Sequence, residues 1–291
     1  MGRFLLTMLV LIGMLFYAPV TSGARSWVSF GGVGLQPSEL AKVIAILALA
    51  HYFAERDPRP FGMRGLMVPG VLSAVPFVLI ALQPDLGTAS TFLPMLAGIA
   101  WVAGVRLATA ARLAGAALCV MPLGYFILED YQRARLLTFW NPEVDPLGDG
   151  YQIIQSKIAV GSGGLLGTGY LEGTQTQLRF LPTQHTDFAF SVLAEEWGFL
   201  GSVVVLAVYL SLLLWGVVVA RHSKDSFGAM LAVGVTGVLF WPAALNIAMV
   251  LGLAPVIGVP FPLFSYGGSA LVTSLIALGL LMNVSMRRYV F

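Results

Sequence analysis

Three consecutive polar residues near the middle of the chain have the types and the position to do chemistry. His185, Thr186 and Asp187 directly precede a long apolar run, and a carboxylate there could take a proton from a hydroxyl. The simpler alternative is that Asp187 caps the following helix, since Asp is a favoured N-cap residue. That alternative explains nothing about Glu195 and Glu196, which lie about two turns inside the run and need partners there.

A second polar group opens another apolar run, in the segment QPSELAK. Pro37 suits the first turn of a helix, and Glu39 and Lys42, three residues apart, project from one helical face. The two residues form either an ordinary ion pair near a helix N-terminus or part of a functional site. Lys42 keeps the second interpretation open, because a cation beyond the first turn lies inside the apolar zone.

A third polar segment, QPDLGTA at residues 83–89, interrupts a stretch that would otherwise be continuously apolar. Turn chemistry favours a simple hairpin between two spans, with Pro84 and Gly87 as turn residues. Asp85 then serves as a helix cap. The segment is therefore expected to be a turn before any other role is considered.

The composition indicates what kind of structure positions these residues. The chain has 291 residues, of which 58% are apolar and only 10% charged, whereas soluble domains are about 25% charged. A soluble globular domain is excluded, and a net charge of +2 gives no reason to expect a nucleic-acid partner. The single cysteine, Cys119, excludes an intrachain disulfide, and its apolar surroundings predict a small core side chain.

Apolar runs near the length needed to cross a bilayer recur along the whole sequence. They predict an all-α, polytopic membrane helical bundle with eight spans, at residues 3–20, 37–54, 65–83, 86–105, 108–128, 188–220, 227–252 and 267–286. Seven spans follow the first one, which favours an uncleaved helix over a signal peptide. No repeat divides the chain, so residues 1–291 are expected to form a single transmembrane domain.

The charges between the spans predict the orientation. One side carries ten bases against three acids, so the positive-inside rule places it in the cytoplasm, together with both termini. The bases are Arg3, Arg56, Arg59, Arg64, Arg106, Arg112, Arg221, Lys224, Arg287 and Arg288, and the acids are Glu55, Asp57 and Asp225. The other side receives Arg25 and the segment 129–187, which is therefore a large extracytoplasmic loop.

The large loop is too rich in aromatic and aliphatic residues to be disordered. Its run GYQIIQSKIAVGSGG predicts a short amphipathic helix followed by a glycine turn. The loop is expected to lie on the outer membrane interface and to fold partly over the bundle.

Five motifs in this order resemble those of the SEDS family of bacterial cell-wall polymerases: QPSELAK, QPDLGTA, DPLGDGYQIIQSKIAVGSGGLLGTGY, FLPTQHTDFAFSVLAEE and GVPFPLFSYGGSA. The match extends over nearly the whole chain. The segments GTQTQLRFLPTQHTDF and DYQRARLLTFW are more similar to the elongation members, the RodA type, than to the division members. The chain departs from the family in having eight spans instead of ten, as if the first two helices were absent. It also has Thr183 and Gln184 where a charged pair is common.

The resemblance implies an enzyme, an inverting peptidoglycan glycosyltransferase that polymerises lipid II into glycan strands during cell elongation, with undecaprenyl pyrophosphate as leaving group. It implies a multi-pass protein of the bacterial cytoplasmic membrane. The implied partners are a class B penicillin-binding protein, which is a transpeptidase, and other membrane proteins of the elongation complex. Asp187 is the implied catalytic base. Substrate binding is implied for Glu39, Lys42, Gln83, Asp85, Arg133, Arg135, Lys157, Arg179, His185, Thr186 and Ser265.

The negative charge that develops on the leaving pyrophosphate must be met by cations. Lys42 and the loop arginines are available for this, and a divalent ion such as Mg²⁺ or Mn²⁺ stays an alternative. No metal ligands are predicted, because the three histidines fall in different segments.

Two functions from other classes stay open. Many spans with buried charges also describe a lipid II flippase or another transporter, and a non-catalytic scaffold of the cell-wall complex is the third interpretation. The unusual polar residues gather toward the outer face and its loop rather than through the midplane. This distribution argues against a transporter.

Overall fold

The computed structural model describes residues 2–19, 26–30, 33–56, 61–127, 130–146, 148–178 and 180–287. The longer helices are α1 (Gly2–Tyr17), α2 (Pro37–Ala54), α3 (Met63–Ala81), α5 (Phe92–Ala103), α6 (Leu107–Ile127), α10 (Ala189–Arg221), α11 (Ser226–Val250) and α12 (Gly268–Arg287). The shorter elements are β1 (Val28–Phe30), β2 (Val33–Leu35), α4 (Leu86–Ser90), α7 (Asp130–Trp140), a 3-10 helix (Pro142–Val144), α8 (Asp149–Ser162) and α9 (Thr174–Gln177). Five charged residues considered above lie outside the described residues: Arg25, Asp57, Arg59, Arg179 and Arg288.

Each of the eight predicted spans coincides with an apolar helix or, for residues 86–105, with the consecutive helices α4 and α5. Within the described residues, six segments are long and apolar enough to cross a membrane: Pro37–Ala54, Met63–Ala81, Leu86–Ala103, Ala189–Arg221, Ser226–Val250 and Gly268–Arg287. Gly2–Tyr17 and Leu107–Cys119 are shorter apolar helices. The predicted all-α, multi-pass membrane fold is confirmed. The strand pair adds one short antiparallel hairpin to it.

The prediction for Cys119 is wrong, because this cysteine is exposed. It lies on α6, where every side chain from residue 111 to residue 119 is exposed. An apolar run in a membrane helix can face lipid as well as protein, since lipid tails are as apolar as a protein core. Apolar surroundings in the sequence therefore do not distinguish the two environments.

The chain forms two compact units, each assembled from separate stretches of sequence. Unit 1 consists of Met1–Thr109, Leu212–Pro242 and Gly267–Phe291. Its apolar core contains the fully buried Leu49, Phe53 and Phe92, and the ring of Phe53 packs edge-on against Phe61. The expectation of a single domain over residues 1–291, with residues 129–187 as a loop within it, stays a prediction.

Unit 2 consists of Ala110–Ser211 and Ala243–Tyr266. It has its own core, built around Ile153, Leu181, Phe188, Phe190, Met249 and Val250. The buried hydroxyl of Ser156 on α8 donates to the carbonyl of Val250 (2.8 Å) and lies 2.9 Å from the hydroxyl of Ser191 on α10. The predicted amphipathic helix of the large loop, α8, is thus packed into the core of this unit.

Helix α10 has a break that the sequence did not predict. Gly198 has φ 64° and ψ −160°, a conformation that is essentially restricted to glycine. Four backbone hydrogen bonds join the break to the glycine turn after α8: Phe199 N to Gly164 O, Leu200 N to Leu165 O, Thr168 N to Glu195 O and Gly169 N to Glu196 O. These bonds satisfy the backbone groups freed by the break, as non-helical backbone in an apolar environment requires.

Candidate active site

Asp187 lies in the turn that precedes α10 in unit 2, and its backbone is fixed at both ends. Its N–H donates to the carbonyl of Thr183 (3.1 Å). Its carbonyl accepts a 2.7 Å hydrogen bond from the side-chain amide of Asn246 on α11, which also donates to the carbonyl of Val259 (2.7 Å). Asn246 is fully buried. A single asparagine therefore positions the candidate base relative to the 251–266 loop.

The carboxylate of Asp187 is only partly surrounded by donors. Burial raises the pKa of this carboxyl above its ordinary value, while a hydrogen bond from Thr186 and the charge of Arg135 act in the opposite direction. Helix α10 begins at Ala189, and within the described chain none of its backbone N–H groups donates to Asp187. Among the described residues, the capping interpretation therefore has no hydrogen bond to support it.

His185 and Ser265 belong to the same part of unit 2. The carbonyl of His185 accepts from the N–H of Tyr266 (2.9 Å), which joins the turn before α10 to the 251–266 loop. The hydroxyl of Ser265 accepts from the N–H of Phe261 (3.0 Å) and closes a turn. The hydroxyl of Thr186 also donates weakly to the carbonyl of Thr183 (3.3 Å). The sequence-predicted residues 185–187 and 265 are thus brought together.

The cations of the large loop differ in their surroundings. Arg135 on α7 forms a 3.1 Å ion pair with Asp149 on α8, and it is the cation whose charge lowers the pKa of Asp187. Arg133 lies 3.7 Å from Asp130 and donates to the carbonyl of Phe126. Among the described cations of the loop, Arg135 is therefore the one whose charge acts on the candidate base.

Two further cations were predicted, and only Lys157 lies in the described part of the chain. Lys157 is exposed on α8 and runs its aliphatic chain over Gly252. Arg179 lies outside the described residues. Among the residues that the structure describes, no group of three His, Cys, Asp or Glu side chains could hold a metal ion.

Unit 1 holds the second predicted group, at the start of α2. Pro37 occupies the first turn, as predicted, and Glu39 and Lys42 form a 2.7 Å ion pair in which each residue is only 5% exposed. Gln36, the residue before the helix, donates from its side chain to Asp85 (2.7 Å) and from its backbone to the hydroxyl of Ser269 on α12 (2.9 Å).

Asp85 is a helix cap, as turn chemistry predicts, and it also joins the start of α4 to the residue before α2. Its carboxylate accepts from the N–H of Thr88 in α4 (3.0 Å) and from Gln36. Burial raises the pKa of Asp85, the hydrogen bonds from Thr88 lower it, and the charges of Glu39 and Lys42 act in opposite directions. The polar segments QPSELAK and QPDLGTA therefore meet in unit 1.

Gln83 is directed elsewhere. Its buried side-chain amide donates to the carbonyl of Leu11 on α1 (2.9 Å), which ties the end of α3 to α1. This contact gives Gln83 a structural role, and its substrate-binding role stays a prediction.

Comparison with known proteins identifies the family. The FtsW, RodA and SpoVE family, described as cell cycle proteins, matches residues 1–290. The chain belongs to this family. Peptidoglycan glycosyltransferase MrdB of Escherichia coli (strain K12) is 42% identical over 296 residues, which cover 98% of this chain and 77% of MrdB.

Solved structures of the FtsW, RodA and SpoVE family agree with this assignment. A peptidoglycan synthase complex, described as coordinating polymerization and crosslinking, matches with a TM-score of 0.83 and 36% identity over 99% of this chain and 81% of that one. The rod shape determining protein RodA of Thermus thermophilus matches with a TM-score of 0.70 and 29% identity, over 98% and 77% of the two chains. The resemblance drawn from the five motifs, including its RodA type, is confirmed.

Three polar residues that contact the candidate residues or their segments were not predicted from the sequence. Asn246 was detectable, because an amide inside an apolar helix needs a reason to be there. Gln36 was part of a recognised motif but carried no charge to single it out. Ser269 gave no signal, since a small hydroxyl in a glycine-containing turn is ordinary.

Proposed function

We propose that this family member is a peptidoglycan glycosyltransferase that polymerises lipid II into glycan strands during cell elongation. The observation that carries the proposal is the environment of Asp187. It combines a pKa raised by burial, a backbone held by a buried asparagine and, in the described part of the chain, no capping hydrogen bond. The relative MrdB bears the name of this activity.

The proposed reaction needs one base. The 4-hydroxyl of the acceptor sugar attacks the anomeric carbon of the donor, and Asp187 takes the hydroxyl proton as the new C–O bond forms. The bond to the pyrophosphate oxygen breaks at the same carbon, and undecaprenyl pyrophosphate leaves with the electron pair. Pyrophosphate leaves without protonation, so no second carboxylate is required. Attack from the opposite face inverts the configuration.

The other predicted residues are proposed to bind substrate, in two groups. Arg135, His185, Thr186 and Ser265 belong to unit 2 with Asp187, and Arg135 is the cation acting on the base. Glu39, Lys42 and Asp85 form the hydrogen-bonded group in unit 1. Substrate contact by Gln83, Arg133, Lys157 and Arg179 is proposed on the family resemblance alone.

Reconstitution of the purified full chain with lipid II tests the function. We expect glycan polymer from the parent and a loss of about 100-fold to 10,000-fold in Asp187→Asn, because Asn keeps the size but cannot take the proton. Asp130→Asn is the matched control, since Asp130 is a fully exposed acid of the same unit. A parallel vesicle assay measures lipid II flipping. Flipping without polymer, or an Asp187→Asn rate within a few fold of the parent, contradicts the proposal.

We further propose that the protein lies in the bacterial cytoplasmic membrane with both termini inside and residues 129–187 outside. The excess of bases on the opposite side supports this orientation. Glu143→Cys and His222→Cys are exposed test positions on the two sides, in a Cys119→Ser background because Cys119 is exposed. A membrane-impermeant thiol reagent should label position 143 in intact cells. Labelling of position 222 instead reverses the orientation.

We propose a class B penicillin-binding protein as partner, because a chain that only polymerises glycan needs a separate transpeptidase for the peptide cross-links. The similar synthase complex, described as coordinating polymerization and crosslinking, supports this. Co-purification in mild detergent should recover the partner, and its addition should raise the polymerisation rate. A chain that polymerises at full rate alone, and gains nothing from the partner, contradicts the proposal.

A further inference from the structure

A cavity of about 380 Å³ lies in unit 1, whereas the proposed base belongs to unit 2. The turn between α10 and α11 contributes Ser223, Lys224 and Asp225 to its lining. The last turns of α12 contribute Asn283 and Arg287, which lie four residues apart on one helical face. Because α10 and α12 end here and α11 begins here, the cavity lies where membrane-spanning helices leave the apolar zone.

The cavity has an apolar floor and a polar rim. Leu231 and Val284 line it, are only 5% and 7% exposed and belong to the core of unit 1. Phe227, a third apolar lining residue, packs against the same core. The charged and amide side chains of the lining are all exposed. A ligand that fills the cavity therefore meets apolar side chains inside and charged groups at the mouth, which suits an amphipathic molecule.

The rim carries a net positive charge, because its two cations, Lys224 and Arg287, outnumber its one acid, Asp225. The fold already uses that acid: one carboxylate oxygen accepts from the N–H of Gly228 (2.8 Å) and caps α11. Among the described residues, no carboxylate lies within 4 Å of the Arg287 guanidinium. The rim therefore attracts an anion.

The turn that carries Lys224 is held in one conformation. The hydroxyl of Ser223 donates to the carbonyl of Asp225 (3.1 Å), and that carbonyl also accepts from the N–H of Ala229 (3.2 Å). Gly228 permits this packing, because a Cβ at that position would collide with the Ser223 hydroxyl and the Asp225 carboxylate. A preformed site of this kind binds a ligand without first having to order its loop.

Basic residues at helix ends are ordinary in membrane proteins, where they anchor the helix at the interface. Arg287 also lies in the last turn of α12, where a cation interacts favourably with the helix dipole. Neither role accounts for the apolar floor and the amide that share the cavity with the two cations. A ligand that is anionic at one end and apolar at the other accounts for all of them.

We propose that this cavity binds the headgroup of an anionic glycerophospholipid of the phosphatidylglycerol type. The phosphate pairs with Lys224 and with Arg287, whose planar guanidinium suits phosphate oxygens. The headgroup hydroxyls donate to Asp225 and Asn283, and the start of an acyl chain covers Phe227. The proposed orientation places this site in the cytoplasmic leaflet, and lipid binding there does not depend on the proposed enzymatic activity.

Other phosphate-bearing ligands suit the lining less well. Inorganic phosphate would leave the apolar floor uncovered. A zwitterionic phospholipid would bring an ammonium group close to the two cations, and like charges repel each other. The disaccharide-peptide headgroup of lipid II is larger than the cavity. An anionic lipid whose headgroup carries neutral hydroxyls avoids all three difficulties.

The test uses the purified full chain, stripped of lipid in detergent, and native mass spectrometry of its complexes with lipids that have identical acyl chains. We expect dioleoyl phosphatidylglycerol to bind about fivefold more tightly than dioleoyl phosphatidylcholine. Arg287→Gln and Lys224→Gln should each raise the Kd for phosphatidylglycerol about fivefold. Arg287→Lys keeps the charge and should retain most of the affinity. Phosphatidylglycerol should also raise the thermal midpoint of the parent more than that of the two Gln variants.

Arg64→Gln and Arg106→Gln are the matched controls, since both residues are exposed arginines of unit 1 and neither lines the cavity. Their Kd for phosphatidylglycerol should stay within about twofold of the parent value. Equal affinity for the two lipids, or cavity variants that behave like these controls, overturns the inference. Displacement of the lipid by inorganic phosphate overturns it and assigns the cavity to a free anion. Tighter binding of lipid II than of phosphatidylglycerol, lost in Arg287→Gln, overturns it and assigns the cavity to the substrate.

Discussion

The polar group of unit 1 and the polar group around Asp187 in unit 2 differ in how fully their charged side chains are paired. In unit 1, Glu39 and Lys42 neutralise each other at 2.7 Å, and Asp85 accepts hydrogen bonds from Gln36 and Thr88. Every charge in this group has a partner within the fold. Such an arrangement holds its geometry but leaves little capacity to exchange a proton with a substrate.

In unit 2, the fold secures the backbone of Asp187, and among the described residues its carboxylate has a hydrogen bond only from Thr186. The cation that acts on it, Arg135, is itself paired with Asp149. The comparison suggests a division of roles for the proposed base: a buried amide fixes its backbone, and among the described residues few donors compete with a substrate proton for its carboxylate.

The loss of one partner from the Glu39–Lys42 ion pair should have the largest effect on stability. Lys42→Met leaves the buried carboxylate of Glu39 without its cation, which typically costs about 3–5 kcal/mol. We expect a clearly lower thermal midpoint of the purified protein in detergent, together with impaired polymerisation. Arg64→Met is the matched control, since Arg64 is an exposed base of the same unit.

The double variant Glu39→Gln, Lys42→Met distinguishes charge burial from loss of packing. Because the double variant leaves no unpaired charge, it should recover much of the stability that Lys42→Met loses. If the double variant is no more stable than the single variant, an unpaired buried charge is not the cause of the stability that Lys42→Met loses. If the double variant does recover stability, its polymerisation activity shows whether the reaction requires the two charges.

Asn246→Ala should have the next largest effect. It removes the donor to the carbonyls of Asp187 and Val259 and leaves both without this partner, at a cost of about 1–3 kcal/mol. Because Asp187, the proposed base, loses its anchor, kcat should fall more than KM rises. Gln177→Ala, at an exposed position of α9, is the control. An unchanged kcat in a folded Asn246→Ala protein would show that the base is positioned by other contacts.

Asp187→Asn should stabilise the folded protein slightly, whereas Lys42→Met and Asn246→Ala should destabilise it. Burial raises the pKa of Asp187 in the folded protein, so the ionised carboxylate destabilises the fold at pH values above the ordinary Asp pKa. Asn carries no charge, so the variant should melt at the same temperature as the parent or slightly higher at neutral pH. The difference should vanish in acid, where Asp is protonated in both states. A markedly lower midpoint would return Asp187 to a structural role.

The sequence predicted the spans well because a bilayer imposes length and apolarity on each of them. All eight predicted spans correspond to apolar helices, and α8 was predicted from its amphipathic pattern. The break at Gly198 was not predicted, because glycine is common in membrane helices and the pattern around it stays apolar. What makes the break stable is a set of backbone hydrogen bonds from distant residues, which no local pattern encodes.

The candidate site was predictable where charge stands in apolar sequence. Glu39 and Lys42 were singled out in this way, the role of Asp187 was implied by the family resemblance, and the need of Glu195 and Glu196 for partners was recognised. Glu195 finds its partners through the return of α9 to α10, a tertiary contact. The sequence therefore identified the unusual residues but not the partners that the fold supplies.

The smallest expected effect is a shift of the pH profile of kcat/KM. It shows whether Arg135 acts on Asp187 through its charge or through its size. Arg135 lowers the pKa of Asp187, so Arg135→Gln should raise that pKa further and move the acid limb of kcat/KM to higher pH. Arg135→Lys keeps the charge and should leave the limb near that of the parent. Asp149→Asn removes the anion that pairs with Arg135, so it should move the limb to lower pH. Shifts in the same direction for Arg135→Gln and Asp149→Asn would exclude electrostatic control of Asp187 by this pair.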